Sequence, residues 1–86
     1  MGKGVARFNE FVIFSYSINH LKKSDKIRFY YALKGRDGKS GIIKYYNIEQ
    51  LAKSVLLIQI SREKDIESFL SLWNCKFKKK MVWIKR

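Results

Sequence analysis

The chain of 86 residues contains no proline, one cysteine (Cys75), one histidine (His20) and only seven acidic residues. A single cysteine excludes an internal disulfide, and one Cys with one His cannot supply the four ligands of a Cys/His zinc site. No apolar run approaches the roughly 18–20 residues of a membrane-spanning helix. The sequence therefore predicts a cytoplasmic protein with no metal, no cofactor and no association with a membrane.

The chain is nevertheless rich in the residues that build a core. Hydrophobic residues make up 47% of it and aromatic residues 15%, which excludes a disordered polycationic tail because such tails lack these side chains. The length predicts one domain over residues 1–86, with residues 1–8 as a flexible N-terminal segment. Many Lys, Ile and Tyr, with few Asn and Gln, give a thermophile-like composition.

The charge is large and unevenly distributed. Nineteen Lys and Arg against seven Asp and Glu give a formal net charge of +12. Residues 22–44, the first basic segment, carry eight basic and two acidic residues, and residues 76–86, the second basic segment, carry six basic residues and no acidic one. Residues 45–75 are close to neutral. Such an excess favours a polyanionic partner, which would relieve the self-repulsion of the domain.

Alternating apolar residues predict the strands. Residues 11–18 place Val12, Phe14, Tyr16 and Ile18 on one face, which is typical of a central strand. Residues 55–60 are apolar on both faces apart from Gln59 and predict a second central strand. Residues 76–84 predict the last strand, and residues 41–46 predict a short edge strand, with a helix after residue 40 as the alternative. Residues 47–53 are then a connection.

Two helices are expected between these strands. The clearer one covers residues 61–73, where Ile66, Phe69, Leu70 and Trp73 recur at helical spacing between a Ser N-cap at position 61 and an Asn at position 74. The other helix fills residues 25–34, between the N-cap Ser24 and Gly35. Because residues 27–33 also alternate perfectly, the alternative is a β-hairpin over residues 26–46.

The resulting element order is strand, helix, strand, strand, helix, strand. This order resembles the ferredoxin-like β-α-β-β-α-β arrangement. The resemblance implies an α+β two-layer sandwich with an antiparallel sheet, central first and third strands, and both helices on one face.

The sequence offers few residues suited to catalysis. His20 stands alone in a polar turn, and Cys75 is expected to be a small structural residue. The carboxylates Glu63, Asp65 and Glu67 are expected to lie on a solvated helix face rather than at a metal. Residues 35–40 end in Gly-Lys-Ser, but the Walker spacing requires a glycine at position 33, which is leucine. No catalytic residue and no metal ligand is therefore predicted.

Basic and aromatic residues are interleaved in both basic segments. Cations neutralise phosphates, and exposed rings stack on unpaired bases. The sequence thus predicts a small, basic, non-enzymatic nucleic-acid-binding protein, with RNA favoured over DNA. The residues expected to bind are Lys22, Lys23, Lys26, Arg28, Tyr30, Lys34, Arg36, Lys39, Lys44, Tyr45, Lys76, Lys78, Lys79, Lys80, Lys85 and Arg86.

Two other functions remain open at this point. One is a small ribonuclease or nuclease on the same fold, which would depend on His20, Asp25 or Asp37. The other is a protein-interaction subunit that binds an acidic partner. A homodimer or a ribonucleoprotein partner is compatible with the size and charge. Because the last strand is expected beside the first, which leads into the turn at Lys22, we also expect the two basic segments to form one face.

Overall fold

The computed structural model describes residues 8–85 and shows an α+β domain with a four-stranded antiparallel sheet. The strands are ordered β2-β3-β1-β4, so β1 and β3 are central and β2 and β4 are the edges. The elements are β1 (Phe8–Ser17), α1 (Lys23–Lys34), α2 (Ile42–Tyr45), β2 (Glu49–Ala52), β3 (Val55–Gln59), a 3₁₀ turn (Ile60–Arg62), α3 (Glu63–Leu72) and β4 (Lys76–Lys85). No helix within the described residues has the length and apolar character needed to cross a bilayer.

One face of the sheet, the helix-covered face, carries the core. The row Val12, Phe14 and Tyr16 of β1, predicted to share one face, is buried. It packs with Leu56 and Ile58 of β3 against α1 and α3. Phe29 of α1 is fully buried at the centre, with its ring centroid 5.7 Å from that of Tyr16 and 5.4 Å from that of Phe69. Burial of such a ring typically contributes about 1.5–3 kcal/mol, so this cluster fixes both helices on this face.

The opposite face of the sheet, here called the helix-free face, is defined by Phe11, Ile13 and Ser15 of β1 and by Val55 and Leu57 of β3, which are cross-strand neighbours. All three described helices contribute side chains to the core on the other side, so no described helix packs here. Phe11 and Leu57 are still only 8% and 6% exposed.

The predicted edge strand at residues 41–46 is wrong. These residues form α2, which was the alternative, and the edge strand β2 follows at Glu49–Ala52. The cause is tertiary: Gly41 lies so close to the end of α1 that an added Cβ would stand 2.3 Å from the Leu33 carbonyl oxygen. From there Ile42 and Ile43 turn onto the core. Asn47, at φ 55°, ends the turn.

The helix at α1 is confirmed, and the hairpin alternative for residues 26–46 is wrong. α1 ends at Gly35, whose φ of 87° suits a residue without a side chain. The predicted N-caps are wrong, because Lys22 and Arg62 occupy the cap positions instead of Ser24 and Ser61. Of the N-terminal segment predicted to be flexible, residues 1–7 lie outside the described residues, and β1 already begins at residue 8.

Candidate nucleic-acid interface

The alternation of β4 divides its lysines between the two faces of the sheet. Lys78 pairs with Ser15 and Lys80 with Ile13, so both lie on the helix-free face, as does Lys76 at the start of the strand. We call Lys76, Lys78 and Lys80 the lysine row. Residues two apart in a strand repeat every ~6.7 Å, so the row presents three evenly spaced ammonium groups along an exposed edge strand.

Lys79 lies on the other face and is engaged there. It pairs with Phe14 across the strands, and its Nζ donates to Glu63 Oε2 at 2.6 Å and to Glu67 Oε2. These two hydrogen bonds raise the pKa of Lys79. The predicted role of Lys79 in binding is therefore not supported by its geometry, because its charge is already compensated by α3.

The lysine row has no such compensation. Its three side chains are exposed, and within residues 8–85 none of them forms a salt bridge. β4 also carries no acidic residue of its own. The three ammonium groups therefore remain uncompensated on a solvent-exposed edge strand.

The second basic segment begins near the turn that leads into the first. Lys76 pairs with Ser17, and both line a small surface depression with Asn19 and His20, just before the turn that leads into α1. Further along, the segments diverge, because the first runs beside β2 and the second forms β4, with β3 and β1 between these edges. The expected single basic face is thus limited to the region around Lys76.

The C-terminal half of α1 lies close to the other edge of the sheet. Tyr30 and Lys34 line an open depression together with Gln50, Ala52 and Lys53 on the β2 side of the sheet. They therefore lie at the edge opposite to the lysine row.

The loop after α1 is held by hydrogen bonds within the loop. The Asp37 carboxylate accepts hydrogen bonds from the Lys39 N–H at 2.8 Å, the Ser40 N–H at 3.1 Å and the Ser40 hydroxyl at 3.0 Å. These bonds hold the pKa of Asp37 below its usual value. The Lys39 and Ser40 amides, which already donate to Asp37, are therefore not free to hold a phosphate, and the Arg36 guanidinium lies over the Tyr31 ring at 5.2 Å.

Most of the remaining predicted residues are accessible. Arg28 pairs weakly with Asp25, at 3.9 Å between exposed groups. Lys26 and Tyr30 are half-buried, and Arg86 lies outside the described residues. The others that are exposed are Lys22, Lys23, Lys34, Arg36, Lys39, Lys44, Tyr45 and Lys85.

An ordered aromatic pair follows Lys44. Tyr45 is 78% exposed, and its ring meets that of Tyr46 edge to face with centroids 4.9 Å apart. The Arg62 guanidinium lies over the Tyr46 ring, 5.0 Å from its centroid. Arg62 was not predicted from the sequence, because it belongs to the near-neutral middle of the chain.

Trp83 is a second exposed ring. It is 65% exposed and does not belong to the residues that the sequence predicted to bind. It lies four residues beyond Lys79, which already contacts the first turns of α3, so the helix layer no longer covers it. Alternation alone places Trp83 and the lysine row on opposite faces.

The residues considered for catalysis have structural surroundings. His20 Nε2 lies 2.8 Å from the Trp73 carbonyl oxygen and therefore donates to it when it carries the proton. Cys75 is buried, and burial raises the pKa of its thiol. Within the described part of the chain, no three His, Cys, Asp or Glu side chains come together in an arrangement that would hold a metal ion.

Comparison of the chain with protein-family models, with curated proteins and with solved structures gives no match. Function must therefore be inferred from the geometry and charge described above.

Proposed function

We propose that this chain is a small, non-enzymatic nucleic-acid-binding protein that holds a phosphate backbone along the helix-free face of its sheet, with RNA favoured over DNA. The observation that carries the proposal is the lysine row: three exposed lysines on one face of an edge strand, without an acidic partner among the described residues.

Counterion release is the source of the affinity. Each phosphate that a Lys neutralises frees a condensed counterion, which favours binding regardless of sequence. The spacing of ~6.7 Å along the row lets one strand of nucleic acid contact several ammonium groups in succession. Lys22 and Lys23 follow shortly after His20, which lines a depression together with Lys76, and they extend the positive surface beyond the start of β4.

The fold supports this assignment. The element order, with α2 as an extra turn before β2, and the sheet order β2-β3-β1-β4 support a ferredoxin-like arrangement. In such a sheet, a face without helices is a platform that an extended strand of nucleic acid can cross.

The proposal is tested by fluorescence anisotropy of labelled oligonucleotides. Single-stranded RNA, single-stranded DNA and duplexes of each are titrated with the protein between about 50 and 200 mM salt. We expect log K to fall linearly with log salt, RNA to bind somewhat more tightly, and the oligonucleotides to remain intact on a denaturing gel. Absence of binding at the lowest salt, or an affinity independent of salt, would contradict the proposal, and cleavage would replace it with a nuclease.

A further inference from the structure

A cavity opens on the helix-free face where β3 ends. Its volume is about 680 Å³, and its apolar lining comprises Phe11 and Leu57 of the sheet together with Ile48 and Ile60. Register places Glu49 opposite Leu57 and Gln59 opposite Phe11, so these polar residues belong to the same face. The cavity therefore combines an apolar floor with polar walls.

The walls carry groups that can read the edge of a base. Asn9, Asn47 and Gln59 contribute amides, Ser61 a hydroxyl and Glu49 a carboxylate. Amides both donate and accept hydrogen bonds, whereas an ionised carboxylate only accepts. A ligand with a flat apolar body and a polar edge matches this combination, and an unpaired nucleobase has both.

The negative charge of the cavity disfavours a phosphate and favours a ligand that donates hydrogen bonds. Glu49 lines it from the helix-free face, and no Lys or Arg does, so an anion would be repelled. The nearest member of the lysine row is Lys80, a diagonal neighbour of Phe11 through the Phe11–Val82 pair. Diagonal neighbours in a sheet have Cβ atoms roughly 7–8 Å apart, so a phosphate site and a base site lie side by side.

A contact between Arg62 and Tyr46 connects two walls of the cavity. Tyr46 directly precedes Asn47, and Arg62 directly follows Ser61. The contact of the Arg62 guanidinium with the Tyr46 ring, at 5.0 Å, therefore ties the two walls together. A pre-ordered cavity loses less conformational freedom when a ligand binds.

We propose that this cavity takes one unpaired guanine of a single strand whose phosphates lie on the lysine row, with Glu49 accepting hydrogen bonds from the base. Guanine is chosen because its Watson–Crick edge presents two adjacent N–H donors, the imino and the amino group, to the two oxygens of a carboxylate. The inference rests on the proposed function, since the lysine row supplies the phosphate contacts.

The test compares short oligouridylates that differ only in the central base. Anisotropy competition at fixed salt is run with U, G, A, C or inosine at that position. A bidentate base contact discriminates by about 5-fold or more, so the oligomer with guanine should bind at least that much more tightly than oligouridylate. Inosine, which lacks the amino group, should lose most of this preference, and pairing the strand into a duplex should abolish it.

Matched variants separate the base contact from the phosphate contact. Glu49→Gln should remove the preference for guanine, while Asp25→Asn, which makes the same change of charge on α1, should preserve it. Both variants should keep the salt dependence of the wild type. If every central base binds equally, or if inosine equals guanine, the base site is refuted although the phosphate site stands. If no oligonucleotide binds, the proposed function itself fails.

Discussion

Neutralising the lysine row should lower the salt dependence of nucleic-acid binding by a calculable amount. The variant replaces Lys76, Lys78 and Lys80 together by Gln, which keeps the first two methylenes of the stem and the capacity to donate hydrogen bonds. The side chains are exposed and form no salt bridge within residues 8–85, so the fold should tolerate the change.

The magnitude follows from counterion release. For a single strand, log K falls with log salt by about 0.7 per neutralised phosphate. If each lysine of the row contacts one phosphate, the triple variant should have a slope smaller by about 2. Between about 50 and 200 mM salt, a slope difference of this size makes the loss of affinity about 18-fold smaller than for the wild type.

The assay is anisotropy of a labelled single-stranded RNA at several salt concentrations, with single variants beside the triple one. The matched pair is Lys78→Gln and Lys79→Gln, which remove the same charge from adjacent positions on opposite faces of β4. Because Lys79 is held by Glu63 and Glu67, its loss should leave the slope unchanged, whereas loss of Lys78 should reduce the slope by about 0.7.

Two outcomes would refute this reasoning. An unchanged slope in the triple variant would show that the row makes no phosphate contact. Equal effects of the two single variants would show that binding responds only to net charge and not to the face of the sheet. Circular dichroism of each variant checks that the fold is intact.

Three further predictions concern the fold itself. Gly41→Ala should lower the free energy of unfolding by roughly 1–3 kcal/mol, measured in urea, because the new Cβ would stand 2.3 Å from the Leu33 carbonyl oxygen; an unchanged midpoint would contradict the close approach. Asp37 has a lowered pKa in the folded chain, so its stabilising effect should be present above pH ~4 and lost below it, and Asp37→Asn should remove that part of an acid unfolding curve. Burial raises the pKa of Tyr16 to about 12, so the folded state should lose stability as the pH rises from about 10 to 12, where only the unfolded chain ionises readily; Tyr16→Phe should flatten the curve there.

The secondary structure could be predicted from the sequence where the hydrophobic pattern and the tertiary packing favour the same element. The alternation in β1 predicted the buried row that includes Phe14, and the helical spacing from Ile66 to Trp73 predicted α3. Both patterns are strong because one face of each element is almost entirely apolar, so burial and local propensity favour the same structure.

The segment before β2 could not be predicted from local pattern. Residues 41–46 suit a strand by composition, yet the close packing of Gly41 on α1 turns Ile42 and Ile43 onto the core as a helix. Such a contact joins residues that no short window of sequence relates. The N-cap predictions were wrong by a small shift: Ser24 lies two residues from the observed cap Lys22, and Ser61 lies one residue from the observed cap Arg62.

The candidate site was predictable in composition but not in arrangement. A strand through residues 76–85 already implies that Lys78 and Lys79 point to opposite faces. Which face is covered depends on where α3 packs, and only the register of β1 with β4 shows that Lys79 meets Glu63 and Glu67. The carboxylates that sequence reasoning assigned to a solvated surface thus decide which lysine of the run is free.

Protection of an edge strand against pairing explains part of the distribution of lysines on β4, but not all of it. Lysines on an exposed edge discourage pairing with another chain, and β4 is such an edge. Edge protection, however, requires only charge, and acidic residues or a mixture of signs would serve as well. On β4 every charged residue is basic, and the only lysine with salt bridges to α3 within residues 8–85 is Lys79, on the helix-covered face. Edge protection gives no reason for a single sign concentrated on the open face beside a cavity lined by Glu49, whereas the proposed phosphate and base contacts require this arrangement.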